Sequence, residues 1–184
     1  MHDIDLLDAA SVVADLEILR PCIGPTVFVL GGDSVGQRTF DVEWTSSVAA
    51  APSVDKLTVR WDVGRLQALV PGLSQTLAAL PLGKTPLRER AVEFAGYGLA
   101  ICAVAAFLPG RVVTHMNQGS PPDLWLALSE DRGVEVAGRN SGRSSYLAAI
   151  GEKRNVLKTR VGLLEAYISV WAFDEHVGHK ERVR

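Results

Sequence analysis

Only two cysteines occur among the 184 residues, Cys22 and Cys102, far apart and with no Cys-x-x-Cys or Cys/His cluster around them. That spacing argues against a disulfide scaffold or a zinc finger and suits two small buried hydrophobes in a reducing compartment. An excess of one charge is also lacking. With 19 Lys+Arg against 21 Asp+Glu the net charge is −2, and the pI is about 6.1. There is therefore no global basic footprint for nucleic acid, and any such contact has to use a local patch. No apolar run reaches a comfortable bilayer length. The longest, FAGYGLAICAVAAFL from Phe94 to Leu108, reads instead as a helix buried on most sides. The opening MHDIDLLDAASVVADLEILR is acidic and amphipathic, not a basic segment followed by an apolar one, which argues against a secretory signal. The expectation is a cytoplasmic chain with no membrane partner.

What is present is ordinary globular composition, 47% hydrophobic and 22% charged, in a length that fits one domain. A mean hydropathy of +0.14 leans apolar enough to suggest surface covered by a protein partner or a second copy. Residues 3–19 carry Ile4, Leu7, Val13 and Leu16 at roughly helical intervals, with Asp3 as N-cap and Pro21 as stop. TVFVL (26–30) and RTFDVEW (38–44) read as a hairpin around GGDSVGQ, and KLTVRWDV (56–63) as a third strand. SSVAAAPS (46–53) is a loop. Residues 65–80 turn helical, interrupted at Pro71-Gly72.

After a break at 81–86 the spacing predicts a helix over 87–108, ended by Pro109-Gly110. RVVTHM, DLWLALS (123–129) and VEVAG (134–138) are short strands, separated by the loop NQGSPP and the turn EDRG. Ser144 or Ser145 caps a helix running towards Leu164, with Leu147, Ile150, Leu157, Val161 and Leu164 as its apolar stripe. AYISVWAF (166–173) is a final strand, and residues 174–184 form a charged, frayed tail.

Several familiar patterns fail on inspection. LGGDSVG near Gly31 lies between two expected strands and lacks the spaced glycines and Lys-Ser/Thr of a phosphate loop. Gly83-Lys84-Thr85 imitates the end of that motif, but Ala78 stands where its first glycine is required. His115 on a short strand, with His2, His176 and His179 near the ends, gives no ligand spacing, and no G-x-S-x-G elbow occurs.

Two acids are left to explain. Asp123 follows Pro121-Pro122 at the start of one strand, where it can simply end a loop. Glu135 stands between Val134 and Val136 and so faces the opposite side of its strand from both. On a solvent face Glu135 is a surface residue; on a buried face it requires a metal or a cation. Glu93 sits in the early turns of its helix, where a negative charge is favourable in any case.

The order helix, three strands, helix, strand over residues 86–173, with Pro122-Asp123 and Glu135-Val136-Ala137 on adjacent strands, resembles the core of the PD-(D/E)XK nuclease superfamily. The resemblance implies a mixed central sheet flanked by helices, an α/β restriction-endonuclease-like αβββαβ core. A helix and a β-rich extension (1–85) would precede it in a single domain. It implies Mg2+ held by Asp123 and Glu135, with Glu93 as a third acid, and a lysine two residues after the Glu to activate water. Here that lysine is Ala137. Lys153 on the following helix flanks the apolar stripe and is the replacement the sequence offers. Arg139 supplies charge but not a general base. Arg139, Arg143 and Arg154 are the candidate phosphate ligands, in a basic segment that continues to Lys158 and Arg160 and is otherwise a solvated face. Two readings stay open: a metal-dependent nuclease-like domain with a relocated lysine, or a catalytically silent nuclease-like fold serving as a binding or assembly subunit. An unrelated α/β protein binding a small molecule is a third.

Overall fold

Phe40 and Val42 on one segment, and Leu57, Val59 and Trp61 on another, alternate with polar residues and are all buried, which makes each segment a strand with one face on the core. The computed structural model describes residues 1–45, 51–80, 86–117, 121–126, 131–140 and 142–184. The expected loops over 46–53 and 117–122, the end of DLWLALS, the EDRG turn and Gly83-Lys84-Thr85 lie wholly or partly outside them. Along the described chain come β1 (His2–Asp5), a 3-10 turn (Asp8–Val12), α1 (Leu16–Leu30), β2 (Val35–Thr45) and β3 (Ser53–Asp62). Then follow α2 (Val63–Leu66), α3 (Leu73–Ala79), α4 (Pro86–Phe107), β4 (Val113–Met116), β5 (Leu124–Leu126) and β6 (Arg132–Arg139). The last elements are α5 (Arg143–Thr159), β7 (Glu165–Ala172) and β8 (Val177–Arg182).

The strands form one mixed eight-stranded sheet in the order β1-β3-β2-β8-β7-β6-β5-β4. β4, β5 and β6 are a consecutive antiparallel run, and α5 then crosses over so that β7 lies parallel to β6. The fold is thus the expected α/β with a mixed central sheet flanked by helices. Val134 and Val136 of β6 join the core under α1 and α4, whereas Ala137 joins a second core with Tyr146, Ala149 and Ile150 of α5. The two helix layers therefore lie on opposite faces of the sheet. α4 meets β6 backbone to backbone: a Cβ at Gly96 would lie 2.8 Å from the Gly138 amide nitrogen, and one at Gly138 would collide with the Val92 carbonyl oxygen.

The structure corrects four expectations. Residues 3–19 are not one helix. Asp3 lies in β1, and the helix begins after Asp15, whose side chain accepts the Glu17 amide at 2.9 Å. Pro21 does not stop α1, and TVFVL is its last turn and a half rather than a strand. Cys22, Ile23, Val27 and Leu30 are buried against the core, and that burial outweighs both the two prolines and the β-branched run. α5 ends at Thr159 and has no side-chain cap; Leu147 on it and Val161 and Leu164 beyond its end are exposed, and the buried stripe is Tyr146, Ala149, Ile150 and Leu157. Fourth, the tail is a strand. β8 lies between β2 and β7, joining the N-terminal and C-terminal parts of the sheet.

α4 also exceeds its apolar run, since Arg88–Phe107 is long and apolar enough to cross a membrane by length and composition. Most of that stretch is buried inside the protein, which accounts for its composition. Cys22 and Cys102 are free and buried as expected, and burial together with their mutual influence pushes the Cys22 thiol up to about 12.

β8 carries an unusual residue. Lys180 is fully buried and its Nζ has no hydrogen-bond partner among the described residues, lying 3.8 Å from the Trp44 ring centroid and 4.8 Å from that of Tyr167. Burial drives its pKa well below the ordinary lysine value, against the smaller opposing pull of Glu165. The unfolded chain then binds more protons than the folded one at every pH between the lowered value and about 10.4, so folding stability rises with pH across that window. As pH rises through that window towards about 10.4, wild-type stability should climb relative to Lys180→Met by up to roughly 1.4 kcal/mol per pH unit. Parallel urea-unfolding profiles for the two proteins would contradict this. Gly138→Ala should cost about 1–3 kcal/mol by forcing α4 off β6, read as a lower urea midpoint at unchanged slope.

Candidate functional site

Continuing the antiparallel register Leu124↔Val134 by one step sets Asp123 opposite Glu135, so two acids from neighbouring strands become near neighbours. Because Val134 and Val136 face α4, Glu135 points to the α5 side of the sheet, and there it is 2% exposed. Asp123 is 7% exposed. The question the sequence left open is answered: the acid is on a buried face and needs a cation. Lys153 provides it. Its Nζ donates to Asp123 Oδ2 at 3.0 Å and to Glu135 Oε2 at 2.8 Å.

The helix register explains how Lys153 gets there. Tyr146, Ala149, Ile150 and Leu157 define the buried stripe, and position 153 falls within that spacing rather than beside it. Its stem therefore runs down the packed side of α5 while the ammonium reaches the acids.

Asp123 is held from further directions. Oδ2 also accepts the Val136 amide at 2.7 Å, and Oδ1 accepts the Tyr97 hydroxyl at 3.2 Å. Glu135 has less support, because its Oε1 is buried and has no hydrogen-bond partner among the described residues. Burial first, and then the Asp123 charge, raise the Glu135 pKa despite the Lys153 ammonium. Burial works against the charge on Lys153, but the Asp123 and Glu135 carboxylates together outweigh it and hold its pKa above the ordinary value. Burial and the nearby Asp123 and Glu93 charges likewise push the Tyr97 hydroxyl up, so it remains a donor.

These groups line a cavity of about 830 Å³ between α4, the end of β6 and α5. Glu93 lies on its wall, exposed, one helical turn before Tyr97. Arg139, Asn140 and Arg88 also line it, and Arg88 reaches Asn140 Oδ1 at 3.5 Å. Arg139 donates to the Gly138 carbonyl at 2.9 Å and lies 4.0 Å from Glu152.

Two expected phosphate ligands lie elsewhere. Arg143 lines a separate cavity of about 270 Å³ with Tyr146 and Glu175. Arg154 is committed to Glu181 of β8 through its Nε at 3.0 Å and a terminal nitrogen at 2.5 Å. The pairing of β8 into the sheet creates this partner, which a frayed tail would not. The same strand buries His179 against Glu181 at 2.9 Å and Glu43 at 3.4 Å, so that histidine is a structural neighbour of the Arg154 pair. Tyr97 and Arg88 were missed in the sequence, although Tyr97 follows Glu93 by four residues on the same helix and so shares its face.

Comparison with family models, with characterised proteins and with solved structures finds no match to this chain.

Tyr97→Phe removes the donor to a buried carboxylate oxygen and should destabilise the protein by about 1–3 kcal/mol. Equilibrium unfolding measures it, and a variant as stable as wild type would show that Asp123 does not depend on this hydroxyl.

Proposed function

We propose that the chain is a magnesium-dependent phosphodiester-hydrolysing domain with a PD-(D/E)XK-like core, its lysine supplied by α5. The observation that carries this reading is the convergence of Lys153 on Asp123 and Glu135, at 3.0 and 2.8 Å, in one cavity wall. The element order from α4 to β7, and the adjacency of β4, β5, β6 and β7 in the sheet, support the restriction-endonuclease-like core.

The residues present fit the ion. Magnesium is held by one or two carboxylates and keeps several waters. Asp123 and Glu135 offer two hard-oxygen groups, and Glu135 Oε1 has no hydrogen-bond partner among the described residues. Glu93 on the same cavity supplies a further acid. When bound, magnesium would polarise a phosphoryl oxygen and lower the pKa of a water. The Lys153 ammonium would orient the attacking water and offset charge developing on phosphorus. Arg139, at the same cavity, would grip a neighbouring phosphate through its planar fork. This confines the basic contact with nucleic acid to the cavity mouth, in keeping with an acidic chain.

A second reading rests on a specific observation. Among the described residues no three His, Cys, Asp or Glu side chains form a group able to hold a metal, and Lys153 already neutralises part of the acid pair. In that case the domain keeps the fold as a binding or assembly subunit, contacting a protein partner or a second copy.

Asp123→Asn and Glu135→Gln should each abolish magnesium-dependent cleavage of a labelled oligonucleotide while leaving the circular dichroism spectrum unchanged. Wild-type protein that cleaves neither DNA nor RNA with magnesium or manganese, yet co-elutes with a protein partner, would select the second reading.

A further inference from the structure

We propose that Lys153 is a resident counter-ion that competes with a divalent cation for Asp123 and Glu135, so that metal loading requires one ammonium to be displaced. The inference rests on the reading of these acids as a cation-binding pair and concerns how that pair is controlled. Its starting point is the allocation of the four carboxylate oxygens. Asp123 Oδ1 accepts the Tyr97 hydroxyl, Asp123 Oδ2 accepts both the Val136 amide and Lys153, and Glu135 Oε2 accepts Lys153. Among the described residues only Glu135 Oε1 of these four has no donor, and it is buried.

The ammonium thus spans the two facing oxygens, which are the groups that would hold a small cation. A lysine head is a compact point charge with three donors, and here it behaves as a tethered monovalent ion. A divalent ion cannot contact the same oxygens while that charge stays in place, because two cations at contact distance in a recessed site repel strongly. Glu135 Oε1, buried and without a hydrogen-bond partner among the described residues, is a further oxygen for an ion that has replaced the ammonium rather than a point of entry. The lysine also has somewhere to go. Its side chain is 19% exposed and lines the cavity, so the flexible stem can withdraw the ammonium without moving α5. Displaced but still tethered, the ammonium remains beside the acids, where the proposed chemistry uses it.

The experiment titrates manganese, as a divalent probe, into the full-length protein by calorimetry. It compares wild type with Lys153→Met, which keeps the stem and removes the charge, and with Lys153→Arg, which keeps the charge. Lys153→Met should bind manganese about tenfold or more tightly than wild type, while Lys153→Arg stays near wild type. Equal or weaker binding by Lys153→Met overturns the proposal. Removing Lys153 leaves two buried acids unpaired and threatens folding, so melting temperatures are followed in parallel. A Lys153→Met protein that folds only when manganese is present supports the proposal, since the ion has taken the place of the ammonium. One that manganese fails to rescue overturns it. Cleavage assays separate this inference from the reading beneath it. Wild-type cleavage with no tightening in Lys153→Met sinks the competition and leaves the nuclease reading standing. Tightening without wild-type cleavage does the reverse.

Discussion

Two carboxylates buried side by side on adjacent strands demand a compensating cation, and the arrangement around them follows from that demand. Asp123 and Glu135 are 7% and 2% exposed, and the ion pair with Lys153 is what makes their position tolerable. Breaking such a pair from one side costs far more than the pair contributes net, because an uncompensated charge stays behind. That asymmetry fixes the register of α5 over the sheet. A rotation of the helix that buried Leu147 instead would carry the ammonium away from both acids. The apolar contacts of Tyr146, Ile150 and Leu157 and the ion pair therefore specify the same orientation.

The opposite face is governed by close approach rather than charge. Gly96 and Gly138 let α4 lie against β6, and this is what brings Tyr97 within reach of Asp123. One acid is thus held from both helix layers, by a hydroxyl from α4 and an ammonium from α5, with the Val136 amide between them. Among the described residues Glu135 has no such second support on Oε1. The pair is uneven, and the weaker partner is the one with spare capacity.

Most of the C-terminal half was legible in the sequence because its elements obey simple periods. α4 is apolar on most sides, β6 alternates, and β7 is a continuous apolar run, as expected of a strand covered on both faces. The acid pair was legible from adjacent strand positions, and Lys153 from its place on the next helix. The details failed where a local signal was outweighed. Pro21 and the run TVFVL speak against a helix, yet burial under α4 holds them in α1. Leu147, Val161 and Leu164 look like core residues and are exposed, since the chain leaves the helix at Thr159 before the last two can turn inward. DEHVGHKERVR reads as solvated, but His179 and Lys180 are covered by neighbouring strands and side chains that no local pattern announces. Losing β8 from the reading also misplaced Arg154, whose partner is on that strand.

The place of β8 has a consequence for assembly of the sheet. It pairs with β2 on one side and β7 on the other, although β2 precedes it by more than a hundred positions in the chain. During synthesis, β1, β3 and β2 can pair among themselves long before the strand that joins them to the remainder exists. Until then the free edge of β2, with the apolar faces of Phe40 and Val42, has no neighbour of its own and is open to pairing with other chains. The closing step is a non-local insertion between two preformed edges, the kind of contact that loop-closure entropy makes slow. A nascent chain of this protein is therefore most exposed to misassembly in the interval just before β8 emerges.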